Sequence, residues 1–315
     1  MNIPEMYYGD SSRLGRPFAK DPSVIKFAKK YWMYYSMPPF DPKLAPPDAP
    51  KGWGIGIATS TDLTHWTKVG EVLGKPGTVE ESGICAPGAR VLDGKVHLFY
   101  QTYGMGPKDA ICHAVSQDGL HFDHDPTNPI FRPNGAWNCG RAIDAEVFPL
   151  GDKLYLYYAT RDPAFKIQLL GVAVAELKSD FGRAAWTNLS TDGPMLAPEL
   201  PWERDCIEAA TICQRGKTLF LFYAGAYNNA PQQIGVATST DGIHWRRLSD
   251  QPLLPNGKPS DWNASESGHP GIFDERGKTV LFFQGNNDKG KTWFLSQRRI
   301  VWTKGNLPAL ENETR

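Results

Sequence analysis

No stretch of this 315-residue chain approaches the ~20 consecutive apolar residues of a membrane-spanning helix, and no amphipathic helix can be read from it. Excess charge of one sign is missing too, since 34 Lys and Arg balance 34 Asp and Glu with no basic block. Neither nucleic acid nor a membrane is therefore expected as a partner. Cysteine is scarce and unpatterned. Cys85, Cys112, Cys139, Cys206 and Cys213 are odd in number and form no Cys-x-x-Cys pair. That argues for free thiols, against a disulfide framework and against a structural zinc site. The opening MNIPEMYYGD lacks the charged and apolar regions of a signal peptide, so a cytoplasmic location is expected. No Pro/Ser-rich or charged linker divides the chain, and a single domain over 1–315 is expected.

Turn residues are plentiful instead. The 31 glycines and 26 prolines suit many short strands. The stretch Arg141–Asp162, RAIDAEVFPLGDKLYLYYATRD, shows the plan. A carboxylate (Asp144) leads into an apolar run, a Gly151–Asp152 turn follows, and Leu154, Leu156 and Tyr158 then alternate with Tyr155, Tyr157 and Ala159. This is a β-hairpin with aromatic-rich strands of period two. The same plan begins at Asp21 (DPSVIKFAKKYWMYYS, with its turn expected at Lys29–Lys30), Ala86 (APGARVLDGKVHLFYQ), Glu208 (EAATICQRGKTLFLFYAG) and His269 (HPGIFDERGKTVLFFQG). Copies recur about every 60 residues, the fixed period of a repeat fold.

A second unit follows the hairpins: ATSTDLTHW, AVSQDGLHF and ATSTDGIHW. Its Ser-x-Asp start reads as a tight turn between the third and fourth strands of a blade, and its closing aromatic as packing between blades. On this reading His65, His121 and His244 are structural, while His97 and His113 show no partner spacing. Five hairpin units predict an all-β chain, a five-bladed β-propeller with blades near 16–75, 84–132, 141–190, 205–255 and 267–302. Residues 1–20 read as a lead-in, and the tail from Thr303 as a polar end. A β-sandwich is the structural alternative.

In a propeller the innermost strands face the axis, so equivalent positions converge there. The leading residues of the copies are Asp21, Ala86, Asp144, Glu208 and His269. One such carboxylate is ordinarily a solvated or capping group. Three at matched register, with a histidine, point to clustered titratable groups of the kind that does chemistry. Crowding raises at least one pKa and so keeps an acid protonated near neutrality.

These residues carry a resemblance. Asp21-Pro22-Ser23 with KYWMYYS, Ile143-Asp144 with AEVF, Glu208-Ala209 with TLFLFYAG, and Ser267-Gly268-His269 resemble glycoside hydrolase family 43, of clan F, across about residues 16–300. The resemblance implies a five-bladed propeller that hydrolyses sugar linkages, often of arabinose or xylose, with inversion and no required cofactor. It implies that Asp21 is the general base, that Glu208 is the general acid, and that Asp144 positions Glu208 and raises its pKa. His269 would lie near the axis, where relatives often hold a water or a structural calcium ion. The chain departs from the pattern at Cys85-Ala86-Pro87-Gly88, which has neither the usual Trp nor an acid, and at Ala145, where proline is common.

Further candidates for binding a small carbohydrate are aromatics placed on loops, Trp53, Tyr103, Trp137, Trp202 and Trp262, each equally suited to packing between blades. Arg141, three residues before Asp144, could meet a carboxylate or a substrate hydroxyl. Of Arg298 and Arg299, alternation turns only one inward, and Arg298 is the candidate. The alternatives are a retaining fructan-type glycosidase, disfavoured by Lys20-Asp21-Pro22 and Ile143-Asp144-Ala145, a glycoside phosphorylase, and a non-catalytic carbohydrate-binding propeller.

Overall fold

Each copy forms its hairpin around a two-residue turn. In the computed structural model, which describes residues 4–311, Phe27 pairs with Lys30, Leu92 with Lys95, Leu150 with Lys153, Arg215 with Thr218 and Glu275 with Lys278. The first turn is thus Ala28–Lys29 rather than Lys29–Lys30. Both residues hold positive φ (47° and 66°), the backbone that a right-twisted hairpin demands even without glycine.

The hairpins build five sheets. Four have four strands each, in sequential antiparallel order. Their innermost strands are Lys20–Phe27, Ile84–Leu92, Ile143–Leu150 and Ile207–Arg215. The fifth begins with Glu266–Glu275 and continues through Lys278–Asn286 to Phe294–Trp302. Its outer edge comes from both ends of the chain. Tyr7–Tyr8 pairs with Leu295 and Ser296, and Pro308–Leu310 pairs with Ile300, Val301 and Trp302. The expected lead-in and polar tail therefore close the ring. Strands of two and three residues are too short to show a period, which is why the sequence pattern misses them.

The repeated outer turn has one cause. Ser60 Oγ accepts hydrogen bonds from the amides of Asp62 and Leu63, while Asp62 Oδ1 accepts those of Thr64 and His65. His65 Nδ1 meets Asp62 Oδ2 at 2.8 Å. Ser116–His121 and Ser239–His244 repeat the arrangement. The aromatic that ends each unit reaches the neighbouring blade edge-on. Phe122 meets Tyr34 at 5.7 Å, Trp245 meets Tyr157 at 5.9 Å and Trp66 meets Phe282 at 6.1 Å. Trp186 on Phe99 (6.0 Å) and Trp302 on Phe220 (4.8 Å) supply the same contact at the other two interfaces. Each pair adds about 0.5–1.5 kcal/mol beyond its buried area.

Around the axis the innermost strands come very close. A Cβ on Gly88 would lie 2.0 Å from the carbonyl oxygen of Ala145, and one on Gly271 would lie 2.1 Å from that of Pro22. Gly88 stands in the stretch that departs from the family pattern, and this close approach is what it serves.

Candidate active site

A register break interrupts every innermost strand at the same place: Lys20/Ser23, Cys85/Gly88, Ile143/Glu146, Glu208/Thr211 and Gly268/Gly271. At each break one residue takes the left-handed conformation: Asp21 (φ 53°), Ala86 (49°), Asp144 (52°), Ala209 (53°) and His269 (44°). L-residues rarely adopt that backbone, and it costs on the order of 1 kcal/mol or more at each. Side chains hold the strained amides. The Asp21 amide donates to Gln284 Oε1 (3.0 Å), that of Ala86 to Ser36 Oγ (2.7 Å), that of Asp144 to Gln101 Oε1 (2.8 Å) and that of His269 to Gln232 Oε1 (3.2 Å).

The breaks correct one alignment. Glu208 does not share the position of Asp21 and Asp144, because Ala209 does. Glu208 stands one residue earlier, where the other blades place Lys20, Cys85, Ile143 and Gly268. A bulge suspends the strict alternation of a strand, so consecutive residues can both reach the axis.

Two cavities flank this ring of residues. One, of about 140 Å³, lies where the innermost strands start. Asp21, Asp144, Glu208 and His269 line it together with Trp53, Tyr103 and Arg141. Trp53 and Tyr103 stand 5.3 Å apart and tilted, a polarisable wall of the sort a sugar ring packs on. The second cavity, at the other side of the ring, shares Asp21, Ala86, Asp144 and His269 and adds Arg90 and Glu146.

The other sequence candidates lie elsewhere. Trp137 donates its indole N–H to the carbonyl of Ser190 and does not line the axial cavity. Arg298 is on the third strand of its blade, far from the innermost one, and donates to the carbonyl of Glu311. Trp202 stacks on Tyr223 at 5.8 Å, and Trp262 is buried against Tyr7 and Phe283, so both pack. The sequence reading missed Lys20, Arg161, Gln168 and Tyr227, which also line the cavity. Lys20 was visible in principle, since it precedes Asp21 as Glu208 precedes Ala209.

His269 holds the carboxylates together. Its Nδ1 is 2.9 Å from Asp21 Oδ1, and its Nε2 is 3.0 Å from Glu208 Oε1. Gln232 donates to the same Glu208 oxygen at 2.7 Å, and Gln168 donates to the other. Burial opposes charge on all of these groups, yet the ion pairs prevail. The imidazole is pushed well above its ordinary value by Asp21 and Glu208. Asp21 is burdened by burial but held far below the carboxylate range by His269 and Lys20. Glu208 is also lowered, by His269, Gln232 and Lys20 acting against burial. Asp144 goes the other way. Burial and the negative charges of Glu208 and Asp21 raise it to about 7.

Glu208 is thus lowered where the resemblance implies a raised pKa, because it has the imidazolium and two amide donors beside it, and the raised carboxyl is Asp144. The arrangement does not suit a calcium ion either. Asp144, Glu208 and His269 offer one atom each within 4.8 Å of one another. However, both ring nitrogens already face carboxylates, and calcium takes six to eight oxygens.

The comparisons with known proteins agree with this architecture. The family model described as Glycosyl hydrolases family 43 matches residues 14–306, and the chain belongs to that family. It is a glycoside hydrolase, and its substrate is a carbohydrate. Among solved structures, a thermostable family-43 glycoside hydrolase superposes with a TM-score of 0.71 at 18% identity, over 98% of this chain and 97% of the other. The alpha-L-arabinofuranosidase from Lactobacillus brevis gives 0.70 at 18% identity over 96% and 95%. At such identities the likeness is one of fold. An uncharacterized protein of Mycobacterium tuberculosis is 23% identical over 253 residues, 72% of this chain and 81% of its own length.

Proposed function

We propose that this hydrolase cleaves a terminal or short-oligosaccharide linkage, of arabinofuranoside or xyloside type, with inversion of the anomeric centre. Asp21 is the general base, Glu208 the general acid, and Asp144 the group whose charge sets the proton content of the cluster. The observation that carries the reading is the imidazole of His269 standing between Asp21 and Glu208, with contacts of 2.9 and 3.0 Å at its two nitrogens. A retaining pair stands only ~5–5.5 Å apart, whereas an inverting pair needs ~6.5–9.5 Å to admit a water beside the sugar. Room for a whole ring between the carboxylates suits the wider spacing.

The charge states divide the roles. Asp21, held ionised by His269 and Lys20, is in the acceptor form a general base needs at any pH near neutrality. Glu208 must carry a proton when the leaving oxygen departs, and the Nε2–H of His269 is one hydrogen bond away. Sugar binding displaces water and raises the cost of keeping both groups charged, so the neutral pair gains and the proton moves along that bond. Above about pH 7, where Asp144 loses its proton, its charge beside Glu208 favours the same transfer. The test is a panel of aryl arabinofuranosides and xylosides assayed with the parent protein, Asp21→Asn and Glu208→Gln. Turnover by the parent with loss in Asp21→Asn supports the reading. Equal turnover by all three would remove the assigned roles.

A further inference from the structure

The cavity carries more positive charge than its carboxylates use. Lys20 is accounted for, since Asp21, Glu266 and Glu208 surround it. The two arginines that also line it are not. Arg141 and Arg161 both line the cavity, and their guanidinium groups converge on one ring, Phe165, at 5.7 and 4.3 Å. Arg141 is 93% buried, at a relative exposure of 7%, yet its Nε has no hydrogen-bond partner. Its one ion pair among the described residues, with Asp109, is long at 3.4 Å, and Asp144 acts on it only through its charge. Arg161 donates Nε to Gln168 Oε1 (3.0 Å) and stacks near Tyr227 (5.1 Å), and no acidic group among the described residues lies within ion-pair distance of it. Two like charges gathered at one ring, one of them desolvated and under-bonded, make a site arranged for an anion.

The position of the pair says which part of a substrate would carry that anion. Gln168 accepts from Arg161 and donates to Glu208 Oε2, so Arg161 is one side chain removed from the proposed acid. The acid faces the departing oxygen, and the arginines therefore flank the leaving group. We propose that the substrate's leaving-group sugar bears an oxyanion, a uronate carboxylate or a sulfate or phosphate ester, held by Arg141 and Arg161. This rests on the assignment of Glu208 as the acid and names the substrate class on the leaving-group side.

The full-length protein is titrated calorimetrically with glucuronate, galacturonate and glucose 6-sulfate, and with glucose and galactose as neutral controls, so binding is read apart from turnover. Hydrogen bonds to charged groups predict tighter binding of an acidic sugar by about ten- to a hundredfold. Preference for the uronates marks a carboxylate, and preference for the sulfate marks an ester. In Arg161→Gln the acidic-to-neutral ratio of affinities falls toward one, while Arg161→Lys retains part of it. Equal binding of acidic and neutral sugars by the folded parent overturns the inference, and so does an unchanged ratio in Arg161→Gln. Hydrolysis of neutral aryl pentosides is measured alongside. Turnover there with no acidic preference rejects this inference alone, whereas acidic preference without any turnover rejects the hydrolytic roles. Release of a glycosyl phosphate in the presence of inorganic phosphate would mean that the arginines serve a phosphate nucleophile, and would overturn the assignment to the leaving group.

Discussion

Replacing Asp144 with asparagine should make the protein more stable at alkaline pH and hardly alter it in acid. Burial with Glu208 and Asp21 nearby raises this carboxyl from 3.8 to about 7. Between those values the unfolded chain has released the proton while the folded chain keeps it, so stability falls as pH rises through that window. The whole span is worth about 4 kcal/mol at 1.36 kcal/mol per tenfold change. Of this, about 3 kcal/mol is lost between about pH 5 and about pH 8. Asparagine has the same shape and no proton to lose. The difference in unfolding free energy between variant and parent should therefore widen by about 3 kcal/mol in favour of the variant over that range. Glu146 and Glu266, each raised to about 7 by burial, add slopes of the same sign to both proteins and cancel in the difference. Urea unfolding at the two pH values measures it. A gap that does not change with pH would show that Asp144 is not held protonated, and the charge accounting of the cluster would fail.

Glu208→Gln should slow poor leaving groups by ~10²–10⁴-fold and spare activated aryl glycosides, whereas Asp21→Asn should slow both alike, which steady-state kinetics on paired substrates would show. Gly88→Ala places a Cβ 2.0 Å from the carbonyl oxygen of Ala145 and should cost about 1–3 kcal/mol, read by chemical denaturation. Because both nitrogens of His269 are engaged by carboxylates, treatment with a chelator should leave activity unchanged, and a loss restored by calcium would contradict the ion-paired network.

The hairpins, the Ser-x-Asp turns and the blade count were legible because each repeats a pattern fixed by strand period and turn chemistry. Trp66, Phe122 and Trp245 announced their packing for the same reason. Other features were not legible. The closing strands Tyr7–Tyr8 and Pro308–Leu310 carry no period, since pairing to Phe294–Trp302 alone defines them. His97 and His113, which show no partner spacing along the chain, stack at 5.2 Å because they are diagonal neighbours on paired strands, with Phe99 opposite His113. The offset of Glu208 by one residue, and with it the entry of Lys20 into the cavity, depends on a left-handed residue that no side-chain pattern encodes. Arg161 lies at the far end of the second strand of its blade and reaches the site only once the sheet exists. The carboxylates themselves were legible by type and copy. Their protonation was not, because it follows from the placement of a single imidazole.

The stereochemical course of hydrolysis tests the central claim most directly. An aryl α-L-arabinofuranoside or β-xyloside is hydrolysed inside the NMR tube by enough protein to outrun mutarotation, and the anomeric proton of the first-formed sugar is observed. Asp21 as base and Glu208 as acid, in the roles proposed, predict a product of the opposite anomeric configuration. A first-formed product of retained configuration would mean that a carboxylate attacks the sugar directly, and would contradict the account.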